Sequence, residues 1–180
     1  MMNHLKKVFI SVSLTSLLFS ASYAASWVNT EKNIQGLDKV LKEIKQKNKN
    51  ISMRVPTQIP DSKKSYYASY SARKNFLALN IDATANCHGV HNCNIGSITA
   101  ETLGEPKIQY DMQNHEITVP VTLKNDTHAY YTPGHAMGDY WPPMIQWREG
   151  STLYTLTWQI ANSADEKSTL VEMANSMSRN

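Results

Sequence analysis

The chain has 180 residues, of which 41% are hydrophobic and 18% charged, with a formal net charge of +3 at pH 7. That length holds one domain with a substantial core. So small a charge, with no nucleic-acid motif, argues against a phosphate-backbone binder.

The first segment reads as a leader. Lys6 and Lys7 precede an apolar run from Val8 to Phe19, and Ser22-Tyr23-Ala24 supplies small residues at −3 and −1 of a cleavage site. The run is too short for a stable membrane span, and the pattern is that of a secretory signal peptide. Residues 1–24 are therefore expected to be removed, leaving one domain at 25–180 with no transmembrane segment. No cysteine follows the apolar run, so a lipid-anchored form is not expected. Losing Lys6 and Lys7 lowers Lys plus Arg from 18 to 16 against 15 acids, so the domain carries about +1.

From Asn33, the residues Ile34, Leu37, Val40, Leu41 and Ile44 recur at helical spacing, with Lys39, Lys42 and Lys45 away from that stripe. The pattern predicts an amphipathic helix of about three turns. Pro56 and Pro60 make 51–60 an extended edge or crossing segment, because proline cannot donate to a sheet ladder. A strand is expected near Asn75–Asp82, where Leu77, Leu79 and Ile81 alternate with Ala78 and Asn80. The loop CHGVHNCN, Cys87–Asn94, comes next, then a short segment around Ile95–Thr99.

Strands are expected at 107–112 and 116–123, joined by a turn at Gln113-Asn114-His115. Asn125-Asp126 reads as another turn. The most regular signal is PMIQWREGSTLYTLTWQI. Ile145 and Trp147 alternate with Met144 and Gln146, Glu149-Gly150 turns the chain, and Tyr154, Leu156, Trp158 and Ile160 hold one face. Ser163 and Glu166 form an S-x-x-E capping box before a stripe of Leu170, Val171, Met173, Ala174 and Met177. The expected fold is α+β: one antiparallel sheet of about five or six strands, with an N-terminal and a C-terminal helix packed on it.

Ile145, Trp147, Gly150, Tyr154 and Leu156, followed by LVEMANSM, resemble a group of small uncharacterised exported bacterial proteins. These share a W-x-x-G-x-x-x-Y hairpin and a C-terminal A-N-S helix, and some carry a C-x5-C pair like Cys87 and Cys93. The resemblance covers the last half of the chain and implies an exported domain with a curved sheet. It brings no catalytic residue with it.

Cys87 and Cys93 are the two cysteines of the chain. In an oxidising compartment an isolated pair joins, and a structural disulfide is the leading reading of the loop. The competing reading is a Zn(II) or Cu(I) site of Cys87, His88, His91 and Cys93, or of His88 and His91 with a distant His128 or His135. Four ligands within seven residues would strain a tetrahedral shell. A thiol redox pair is weaker, since the spacing is not C-x-x-C and no helix follows.

A second candidate is the loop Ala129–Pro143. Tyr130, Tyr131, Tyr140 and Trp141 could stack on a flat ligand, with His135, Met137 and Asp139 at the centre. The plain alternative is that these rings fill core. His135 and Asp139 could pair, but no nucleophile accompanies them, and no catalytic motif or cofactor requirement is found. Two functional readings remain. One is a non-catalytic periplasmic or secreted binding domain for a protein, peptide or small molecule of the cell envelope. The other is a periplasmic Cu- or Zn-binding protein using His88, His91 and His135.

Overall fold

The structure, a computed structural model, describes residues 26–62, 64–102, 118–134, 141–161 and 163–179. The leader pattern, the strand at 107–112 and its turn lie outside these residues.

The chain is mostly β. In order come β1 (Trp27–Asn29), α1 (Thr30–Asn33), β2 (Ile34–Gln35), α2 (Leu37–Lys47), β3 (Arg54–Pro56), β4 (Gln58–Pro60), β5 (Tyr66–Arg73), β6 (Phe76–Asp82) and β7 (Asn94–Thr102). Then follow β8 (Val119–Thr122), β9 (His128–Thr132), β10 (Met144–Glu149), β11 (Thr152–Trp158), α3 (Glu166–Asn175) and β12 (Met177–Arg179). One sheet has eight strands in the order β2-β5-β6-β7-β11-β10-β9-β8, and two-strand ribbons join β1 to β4 and β12 to β3. The pairing of β2 with β5 is parallel, so the large sheet is mixed.

The expected antiparallel sheet of five or six strands with two helices is therefore corrected. The added strands lack a strong apolar alternation. β5 reads YYASYSAR and β7 reads NIGSITAET. Their small and hydroxyl side chains pack in a sheet without advertising it. Ile34 is also reassigned. It pairs with Tyr66 in the sheet, and Gly36 at φ 76° turns the chain before α2 begins at Leu37. That left-handed conformation suits glycine, which carries no Cβ.

The core follows the register. Leu79, Ile98, Leu156, Ile145 and Tyr131 lie in one row across β6, β7, β11, β10 and β9. Leu77, Ala100, Tyr154, Trp147 and Ala129 make the next row. All ten are buried, and they share one cluster with Ile44 of α2 and Leu170 and Met173 of α3. Burying each large apolar side chain contributes about 1.5–3 kcal/mol before chain entropy is subtracted. The opposite face carries Ser97, Thr99, Thr155, Thr157, Gln146 and Tyr130, half-buried and mostly hydroxylated.

At the edge of this core, the Arg54 guanidinium bonds the Glu149 carboxylate and lies 5.7 Å from the Tyr154 ring centroid. Trp147 stacks on Tyr154 at 5.4 Å and donates its indole N–H to Glu149 at 3.1 Å. The predicted capping box does not form. Ser163–Asp165 is a 3-10 turn, Asp165 occupies the N-cap without capping the helix through its side chain, and Glu166 turns inward. Among the described residues, no helix is long and apolar enough to cross a membrane.

Candidate functional site

One end of the large sheet collects both segments singled out from sequence. The β6–β7 connection holds the cysteine loop, and the β9–β10 connection holds Trp141. β11 lies between these two hairpins and leaves the sheet at the same end.

The cysteine loop is closed by a Cys87–Cys93 disulfide, with Cα atoms 5.8 Å apart. His88 and Gly89 adopt φ 49° and 77°, which folds the chain back within the ring. Gly89 is required twice. A Cβ there would lie 2.8 Å from Asn80 Cγ, in a conformation that strains other residues. Asp82, 1% exposed, anchors the loop. Its carboxylate accepts from Ser69 Oγ at 2.9 Å, from the Gly89 N–H at 3.2 Å and from Asn94 Nδ2 at 3.0 Å. Three donors offset the desolvation of a buried carboxylate.

With both sulfurs in the disulfide, the four-ligand set of Cys87, His88, His91 and Cys93 is overturned, because zinc and copper bind thiolates. Among the described residues no group of three or more His, Cys, Asp and Glu side chains converges. His88 and His91 are exposed, and His91 is engaged in the structure. His135 lies outside the described residues.

The loop's base forms one wall of a groove of about 510 Å³. Ala83, Ile95, Ile160 and Ala161 supply hydrocarbon, and Ser62, Lys64, Tyr66 and Gln159 supply polar ends. The walls are tied together. Ala83 donates its N–H to the Cys93 carbonyl at 2.8 Å, and the Gln159 N–H donates to Ile95 O at 2.7 Å. Gln159 Nε2 donates to Asn94 O at 2.7 Å. Tyr66, 4% exposed, sits edge-on to Trp158 with ring centroids 5.8 Å apart. Burial pushes its phenol pKa up, the Ser62 hydroxyl partly counters this, and the nearby Asp61 charge adds to the rise. The groove is larger than the cavities of about 210 and 100 Å³ beside α2.

Trp158 reaches its place because residue 96 is glycine. A Cβ on Gly96 would lie 2.5 Å from Thr157 O and 2.6 Å from Trp158 Cε3.

The second candidate divides. Tyr131 is 6% exposed and belongs to the core. Its hydroxyl donates to Glu166 Oε2 at 3.1 Å, and the Gly134 N–H donates to the same oxygen at 3.2 Å. Burial raises the Tyr131 pKa, and the hydrogen bond and charge of Glu166 raise it further. Tyr130 points to the opposite face, in register with Gln146. Trp141 is 62% exposed. Gly134 packs on Pro143 so closely that a Cβ would meet Pro143 Cδ at 2.7 Å. His135, Asp139 and Tyr140 lie outside the described residues.

Ser62, Lys64, Tyr66, Ile95, Gln159 and Ile160 were not marked by any motif. Four separate segments meet only through the order β5-β6-β7-β11, which local periodicity does not reveal.

The chain matches no protein-family model, no curated protein and no solved structure.

Proposed function

We propose that the protein is an exported, non-catalytic binding domain, periplasmic or secreted, that takes a small ligand of the cell envelope in the groove beside the disulfide loop. The groove itself carries this reading. Its volume of about 510 Å³ falls within the range of about 300–1,000 Å³ for ligand pockets, and its lining mixes hydrocarbon with a few polar groups. The disulfide and the leader pattern support export, since such a bond persists in oxidising compartments.

Cell fractionation of the full chain tests location, with recovery in the envelope or medium expected. For binding, native mass spectrometry of protein recovered from its host envelope is expected to show a non-covalent adduct. Ala161→Trp places an indole in the groove from an exposed position. A variant that keeps its melting temperature and loses the adduct supports the site. A folded variant that retains the adduct contradicts it.

A further inference from the structure

Resting on that reading, we infer that the groove takes an amphiphile with one anionic head and an aliphatic tail. Its polar lining groups are largely committed to internal bonds. The Ser62 hydroxyl accepts the Lys64 N–H at 3.3 Å, and the Gln159 amide donates to Asn94 O at 2.7 Å. The backbone N–H groups of Ala83 and Gln159 are spent on Cys93 O and Ile95 O. A sugar or peptide needs several free donors and acceptors, because each of its polar groups left unpaired in a groove costs affinity.

Among the described residues, the groove is lined instead by hydrocarbon from Ile95, Ile160, Ala83 and Ala161, with the Lys64 ammonium at its margin. Among the described residues Lys64 forms no ion pair. Hydrocarbon walls favour a tail through area removed from water, without directional demands. An ammonium on a flexible stem acts as a point charge, which suits a compact anionic head such as a carboxylate.

Calorimetric titration of the full chain tests this with three ten-carbon probes held below micelle formation: decanoate, uncharged decyl maltoside and decyltrimethylammonium. Decanoate is expected to bind best. Lys64→Glu is expected to weaken it about tenfold, and Ala161→Trp to abolish it, both with unchanged melting temperature. Equal affinity for all three heads, lost in Ala161→Trp, would overturn the anionic head and leave the groove as the binding site. Decanoate bound equally by wild type and Ala161→Trp would overturn both the inference and the site. Binding of none of the probes would overturn the inference, while an adduct lost in Ala161→Trp would keep the groove.

Discussion

Asn94 donates its side-chain amide to Asp82 Oδ1 at 3.0 Å and also reaches the carbonyls of Ile81 and Gly96 at 3.3 and 3.0 Å. This junction joins the ends of β6 and β7 where their register shifts, between Ile81 and Asp82. One buried carboxylate thus orients the base of the disulfide loop and, through it, the groove wall. Asp82→Ala leaves the Ser69, Gly89 and Asn94 donors without their acceptor. The expected loss is about 3 kcal/mol by urea denaturation, and a loss below about 1 kcal/mol would mean the junction is not holding the loop. Asp82→Asn keeps one acceptor oxygen and should lose less.

The disulfide closes a short ring, so its contribution to global stability should be modest. The double variant Cys87→Ser/Cys93→Ser is expected to lose about 2 kcal/mol. The eight-stranded sheet should persist, since its core rows do not pass through the ring. Hydrogen exchange is expected to quicken at Ala83, Val90 and Asn94, whose backbone bonds close the loop, and to stay slow at Ile98 and Leu156. Equal quickening throughout the sheet would contradict a local role.

Gly96→Ala tests how closely β7 and β11 meet. The obstacle at 2.5 Å is the Thr157 carbonyl, a backbone atom of the ladder that cannot swing away. The substitution should cost about 2–3 kcal/mol, as overpacking does, and alter the near-ultraviolet circular dichroism of Trp158. A neutral result would show that the two strands are further apart than described.

Tyr131 and Tyr66 make stability fall at alkaline pH. Both phenols have pKa values raised above the ordinary 10.0, chiefly by burial. Above pH 10 the unfolded chain releases these protons and the native state retains them, so the native state binds more protons and is disfavoured as pH rises. Their stabilising contribution is complete below pH 10 and is lost progressively above it. Tyr131→Phe removes one such group together with its bond to Glu166. It is expected to cost about 1 kcal/mol at neutral pH and to flatten the alkaline decline in denaturation midpoints. An unchanged alkaline slope would contradict the buried placement of Tyr131.

Parts of this structure were legible in the sequence where the signal is local. The β10–β11 hairpin follows from alternating Ile145, Trp147, Tyr154, Leu156 and Trp158 around Gly150, whose φ is 57°. The apolar alternation of β6 and the stripe of α2 from Leu37 to Ile44 marked those elements, and an isolated pair of cysteines behind a leader-like segment predicted the ring. β5 and β7 were hidden because Ser, Thr, Ala and Gly fill their alternate positions. The helix stripe drew in Ile34, since an apolar residue three places before Leu37 fits the helical period. Sheet order was beyond reach, because pairing Gly96 with Trp158 closes a long loop that no local pattern encodes. The groove inherits that difficulty, and Tyr131 stays open in the sequence between a stacking ring and a core residue, because alternation alone does not say which face of β9 is covered.

The central proposal is that ligand enters between the disulfide loop and the exit of β11, and amide NMR of the full chain locates it most directly. On titration with a small-molecule extract of the host envelope, shift changes should concentrate at Ala83, Ile95, Gln159, Ile160 and Ala161. Changes gathered instead around Tyr130 and Trp141, with those five amides still, would contradict it.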